Sequence, residues 1–158
     1  MNHTSRTHPR HTLFNMILGG ALLATLSMPA LAQSMVSIKG NTVNMRSGPS
    51  TQNTVLWELK KGYPLRVVRR KGTWLEVSDF ENDRGWVART LVGSSPHHVV
   101  KSRTANIRRG PGTQHAIVGK AAYGDLLRTR EKRSGWVQVE HTANGTKGWV
   151  SGRLLWGW

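Results

Sequence analysis

The chain has 158 residues, a formal charge of +15 and no cysteine, with 37% hydrophobic and 7% aromatic residues. A disulfide scaffold, a thiolate-ligated zinc or iron–sulfur centre and a cysteine nucleophile are therefore excluded. The length sets a prior of one domain or two small ones, and 23 basic against 8 acidic residues predict a surface that draws anionic partners.

At the start of the chain, Arg6 and Arg10 precede an uncharged apolar run from Met16 to Met28, followed by Pro29-Ala30-Leu31-Ala32. A cationic segment, a short apolar stretch and small residues at Ala30 and Ala32 read as a secretory signal peptide over residues 1–32, cut between Ala32 and Gln33. A bilayer span needs about 18–20 apolar residues; this run is shorter, and no transmembrane span is expected in the mature chain. An exported protein follows: periplasmic in a host with two membranes, secreted or wall-bound where the outer membrane is lacking.

The remainder is a repeat. Asn44-Met45-Arg46-Ser47-Gly48-Pro49 falls on Asn106-Ile107-Arg108-Arg109-Gly110-Pro111, with Thr51-Gln52 on Thr113-Gln114. Gly62, Leu65, Arg66, Trp74 and Val77 fall in the same way on Gly124, Leu127, Arg128, Trp136 and Val139. After a one-residue insertion, Gly85-Trp86-Val87 meets Gly148-Trp149-Val150. The insertion lies between Asn82-Asp83-Arg84 and Ala143-Asn144-Gly145-Thr146-Lys147, where a length change is tolerated in a loop. Two units are expected, 34–92 and 100–158, joined by a linker at 93–99.

Each unit reads as strands. Thr42–Arg46, Leu65–Arg69, Trp74–Val77 and Gly85–Ala88 are short, rich in Val, Leu and Trp, and bounded by Gly, Pro, Asn or Asp. Asn144-Gly145 is the best hairpin signal, because a type I′ turn needs positive φ at both central positions. Short antiparallel strands in so few residues favour a small barrel over a flat sheet with unpaired edges. A unit of this size buries a thin core, so the two are expected to share an interface.

The spaced pattern Asn-x-Arg-x-Gly-Pro, Thr-Gln, Gly, (Gly/Ser)-x-Trp-x-x-Val and Gly-Trp-Val, present twice and in order, resembles the bacterial Src-homology-3 (SH3b) domain. The resemblance covers nearly the whole mature chain. It implies an all-β fold of two tandem small SH3-like barrels of five to six strands, with Asn-x-Arg-x-Gly-Pro opening a long first loop. Members occur in exported bacterial proteins, often beside cell-wall hydrolases, and some bind peptidoglycan peptides. The resemblance also places Trp74 and Trp136 at the ligand-stacking tryptophan of the wider Src-homology-3 architecture.

Strand alternation gives a separate view of the site. In Trp74-Leu75-Glu76-Val77 and Trp136-Val137-Gln138-Val139 the aliphatic residues share one face, so each Trp faces away from the core. Trp86 and Trp149 stand likewise beside Val87 and Val150. An indole suits a peptide or sugar groove; the other reading is that these rings close barrel ends, pack under the long loop or bury the contact between units, the more so for Trp86 and Trp149. Tyr63 and Tyr123 are candidate neighbours of Trp74 and Trp136. Arg46 and Arg108 set the turn or hold a ligand carboxylate in a planar fork of donors. Basic runs at Arg69-Arg70-Lys71, Arg108-Arg109 and Arg128–Arg133 keep the surface soluble or attract anionic envelope material.

Little points to catalysis. Carboxylates are few, and no Ser lies in a Gly-x-Ser-x-Gly elbow or a Ser-x-x-Lys pair. The acidic Asp79, Glu81 and Asp83 read as a solvated hairpin tip, His97-His98 as linker, and no metal or other cofactor is expected. An export signal argues against nucleic acid. Trp156 and Trp158 are expected to pack on a domain or a partner. The expectation is a protein that is not an enzyme: a non-catalytic cell-envelope binding or adaptor module for peptidoglycan peptides, an envelope protein peptide or another anionic ligand. The alternative is a structural protein whose aromatics form domain or subunit interfaces without a small ligand.

Overall fold

The computed structural model describes residues 34–158; the expected signal peptide and its cleavage point lie outside the described residues. The first unit contains β1 (Met35–Ile38), β2 (Thr42–Arg46), β3 (Val55–Lys60), β4 (Pro64–Lys71), β5 (Trp74–Ser78), β6 (Arg84–Ala88) and β7 (Val92–Gly93). The second repeats them as β8 (His97–Val100), β9 (Thr104–Arg108), β10 (Ile117–Ala122), β11 (Leu126–Arg133), β12 (Trp136–His141), β13 (Lys147–Ser151) and β14 (Leu155–Gly157). Strand order is β3-β2-β6-β5-β4-β1-β7 and then β10-β9-β13-β12-β11-β8-β14, one topology twice. The chain is all-β, as two tandem SH3-like domains require, with seven strands in each sheet.

Each sheet wraps one core, because strands at opposite ends of its order contribute to the same cluster. In the first unit, Leu59 of β3 and Val92 of β7 pack with Ile38, Met45, Leu65, Val77 and Val87. The second unit uses Ala121, Leu155, Val100, Ile107, Leu127, Val139 and Val150. Between these residues, along β2, β5, β9 and β12, polar and aromatic side chains alternate outward, as period-two geometry demands. Bulges interrupt β3, β4, β10 and β11 at matching places, sharpening the bend that closes each barrel.

Two local expectations change. Gly145 has φ +73 but Asn144 does not take positive φ; the type I′ conformation belongs to Ser134 (φ 46) and Gly135 (φ 80), between β11 and β12, where Arg133 pairs with Trp136. The 93–99 linker is shorter than expected, since Gly93 ends β7 and His97 begins β8. His97 and His98 are buried strand residues, 9% and 4% exposed, and not a solvated linker.

The barrels meet along an extended seam. The buried Ser37 Oγ–H donates to Ser95 O at 2.7 Å. Arg66 of β4 lies 5.5 Å from the ring centre of Trp156 in β14. The tail residues 155–157 thus form a strand paired to β8, with Trp156 against the first barrel.

Candidate functional site

The outer face of β12 carries Trp136, half-buried, and the adjoining strands decide what surrounds it. The Ser134-Gly135 turn returns the chain so that Arg133 lies opposite Trp136, while β14 brings Trp156 and Trp158 alongside. Together with Lys132 and His98 these side chains line a cleft of about 450 Å³. Three indoles give flat apolar walls, and Lys132 supplies donors and positive charge at the edge, beside an Arg133 that is paired with Glu131.

His98 fixes one end of this cleft. Its Nδ1 is 2.6 Å from Thr129 Oγ1. Burial, then the charge of Lys132, push its pKa down to about 4, opposed by a hydrogen bond with the Trp158 backbone. The ring is therefore neutral at ordinary pH, and the positive charge of the cleft comes from Lys132 and Arg133.

The first barrel differs. Trp74 is also half-buried on the outer face, but the positions matching Trp156 and Trp158 are Gly93 and Ser95. No indole wall rises beside it. Trp74 instead joins Asn44, Arg46, Thr51 and Leu91 around a cavity of about 240 Å³. The structure thus brings Trp74 together with Arg46, whereas Arg108 does not line the Trp136 cleft. Both arginines turn a guanidinium N–H to the loop that follows them: Arg46 Nη1 donates to Asn53 O at 2.8 Å, and Arg108 Nη1 to Thr113 O at 3.0 Å and His115 O at 2.8 Å. This contact supports the turn-setting role of the motif.

Tyr63 and Tyr123 line neither tryptophan cleft, which corrects their expected position as neighbours of Trp74 and Trp136. They flank Phe80, with ring centres 6.4 Å and 5.4 Å away, and Tyr123 Oη–H crosses the seam to Glu81 Oε1 at 2.5 Å. Their offset in the repeat, 60 residues rather than 62, was the signal that they are not equivalent. Trp86 and Trp149 face outward yet are only 7% and 6% exposed. Arg69 and Arg133 lie over their rings at 5.1 Å and 5.4 Å, which seals them beneath cation–π contacts.

The acidic turn is not simply solvated. Asp79 is buried, and its Oδ1 accepts the Glu81 and Asp83 backbone N–H groups at 2.9 Å each, while Tyr63 Oη–H donates to Oδ2 at 3.3 Å. Burial pushes the Asp79 carboxyl up, and the two N–H donors oppose that rise. Burial and the Asp79 charge likewise raise the Tyr63 phenol. The carboxylates of Asp79, Glu81 and Asp83 come within 4.8 Å of one another, with Asp79 committed to organising its own turn.

Two bacterial SH3 domain family models match the chain, one at residues 39–93 and one at 103–155. A Bacillus subtilis protein, YrvJ, whose name places it among the N-acetylmuramoyl-L-alanine amidases, is 29% identical over 89% of this chain and 29% of its own length. LytH of Staphylococcus aureus, named as a cell wall amidase, is 29% identical over 35% of this chain and 19% of its own length. The chain thus spans less than a third of these relatives. Among solved structures, an NlpC/P60 family protein from Bacillus cereus aligns at 15% identity and TM-score 0.37 over 78% of this chain and 56% of that one. NlpC2 from Trichomonas vaginalis aligns at 13% and 0.36 over 78% and 48%.

These relatives correct one expectation. The sequence reads as a non-catalytic binding or adaptor module and not an enzyme; the match to YrvJ, which bears an amidase name, places the chain instead among relatives of peptidoglycan hydrolases. Residue inventory could not reveal this, because the similarity lies in repeated barrel motifs rather than in a nucleophile or ligand set.

Proposed function

This chain belongs to the bacterial SH3 domain family, which it carries twice in tandem, and from that premise we propose that it acts in peptidoglycan amide hydrolysis, its SH3 pair engaging the wall. The observation that carries the reading is the Trp136, Trp156 and Trp158 cleft edged by Lys132 and Arg133. Indole faces stack on sugar rings and on peptide planes, and Lys132 receives a carboxylate, while Arg133, paired with Glu131, adds positive charge beside it, so the cleft suits a carboxylate-bearing glycopeptide. Trp74 with Arg46 offers a smaller second contact on the first barrel. Tyr63, Tyr123 and Arg108 support the framework around these surfaces.

The reading places the protein in the cell envelope, exported by residues 1–32 and folded as two barrels, the first ending with β7 at Gly93 and the second beginning with β8 at His97, in the periplasm or the wall. Among the described residues, no helix is long and apolar enough to cross a membrane. The test is sedimentation of the purified chain with isolated peptidoglycan, together with release of stem peptides from the wall in cells carrying wild-type, deleted or Trp136→Ala alleles. Wild type sediments with the wall, Trp136→Ala binds at least tenfold more weakly, and both altered strains release less stem peptide. If the folded Trp136→Ala chain binds as well as wild type, the cleft is not the wall site. If stem release is unchanged on deletion, the chain is not part of amide hydrolysis.

A further inference from the structure

A second cavity, of about 890 Å³, opens between the barrels. Lys39, Lys60 and Lys61 of the first barrel face Arg128 of the second across it. None of these four has an ion-pair partner among the described residues, although Arg69, Arg130 and Arg133 each hold a carboxylate. The one carboxylate in the lining, Asp125, is already engaged: Oδ2 accepts from His141 Nε2–H at 3.0 Å and from the Ala122 N–H at 2.7 Å. Ala143 N–H donates to His141 Nδ1 at 3.2 Å, which fixes the imidazole proton on Nε2 toward Asp125. His97 adds no charge. Its Nδ1–H donates to Ser95 O at 3.0 Å, and burial, followed in its effect by the neighbouring Arg128, lowers its pKa.

Four unpaired cations thus surround a concavity whose only carboxylate is spoken for, and walls of low dielectric focus that field outward. Beneath the charges, Ile38 and Leu126 supply apolar surface. No Phe, Tyr or Trp lines the cavity, and the imidazoles of His97 and His141 are held by Ser95 and Asp125, so bases and sugar rings would lack the broad stacking faces they use.

We propose that this inter-barrel cavity is a binding site for a short acidic peptide, whose carboxylates meet Lys61 and Arg128 and whose small aliphatic side chains rest on Ile38 and Leu126. The site goes beyond the wall-binding reading and does not depend on it, since it shares no residue with the Trp136 cleft except through the strands that carry both. Because both barrels supply the lining, an occupant also ties the barrels together.

The test is amide NMR of the full chain titrated with three probes: N-acetyl-Ala-Glu-Ala, its neutral counterpart N-acetyl-Ala-Gln-Ala-amide, and inorganic phosphate. The glutamate peptide shifts the amides of Lys61, Leu126 and Thr142 and binds more weakly as salt rises. The neutral peptide, at the same concentrations, leaves them in place. Lys61→Ala with Arg128→Ala weakens the glutamate peptide at least tenfold, whereas Trp136→Ala leaves it unchanged. All three replaced side chains are at least partly exposed, and a retained melting transition verifies each fold. Equal binding of the neutral peptide overturns the proposal, as does binding that survives loss of both cations. Phosphate binding as tightly as the glutamate peptide overturns the peptide assignment in favour of an anion site alone. Loss of sacculus binding in Trp136→Ala with the peptide shifts intact separates this site from the wall cleft.

Discussion

His98 makes folding stability depend on pH in a direction that the structure fixes. The ring is 4% exposed, and burial holds its pKa near 4, against an ordinary value of 6.5. Below pH 6.5 the unfolded chain takes up a proton that the folded chain refuses, so stability present at neutral pH drains away as pH falls toward 4. At about 1.4 kcal/mol for each tenfold ratio, the full loss is roughly 3 kcal/mol, of which about 2 kcal/mol is gone by pH 5. His97, also lowered by burial, adds a loss of the same sign, whereas the raised Asp79 gives a gain as pH falls through its folded value. A His98→Gln chain keeps hydrogen-bonding groups at the position without titrating there, and leaves those other contributions in place. Urea unfolding at pH 7.5 and pH 5 should therefore show a drop in wild type that exceeds the drop in His98→Gln by about 2 kcal/mol. Equal drops in the two chains would refute the assignment. The same ring lines the Trp136 cleft, so protonating it adds a positive charge there.

Three further outcomes follow from packing. Gly62→Ala should cost about 1–3 kcal/mol in chemical unfolding, because φ is +86 and a Cβ would stand 2.8 Å from His97 Cδ2; Gly124→Ala, at φ +84 with open space around it, should cost only the backbone part, about 1 kcal/mol. Arg133→Ala uncovers the ring of Trp149, so indole emission should move to longer wavelength, with about 0.5–1 kcal/mol lost from unfolding stability. Ile107→Ala empties a fully buried core position and should cost about 2–5 kcal/mol by urea unfolding.

What could be read from the residues depended on whether a local pattern carried the information. Strands β2 and β5 were legible because Val43, Met45, Leu75 and Val77 alternate with polar or aromatic neighbours around one buried face. Strand β3 was not, for a physical reason: at the sheet edge Val55, Leu56 and Trp57 are 40%, 42% and 54% exposed, and only Leu59 reaches the core, so no alternation exists to be seen. The outward placement of Trp74 and Trp136 follows from the same alternation. Their surroundings do not, since a period-two argument places a ring on a face without saying which strand comes alongside. The pairing of β14 with β8, set by tertiary contacts, is what delivers Trp156 and Trp158 to Trp136. His97 and His98 were misread because Gly93-Ser94-Ser95-Pro96 signals a linker and the strand behind it begins without a break.

The repeat keeps its topology while its core side chains change, and its outer face diverges as well. Met45 and Leu59 in one barrel become Ile107 and Ala121 in the other, all nearly fully buried, so side-chain volume changes while the topology and bulge positions persist. On the outer face, Gly93 and Ser95 stand where the second barrel has Trp156 and Trp158, and this difference alone gives one barrel an indole-walled cleft. It also affects the seam, because Trp156 meets Arg66 of the first barrel. The asymmetry therefore does two things at once: it equips one copy with a ligand surface and fastens the two copies together. A chain with Trp156→Gly and Trp158→Ser would make the second barrel resemble the first at these positions, and should lose both the cleft and the contact with Arg66 while each barrel core remains intact.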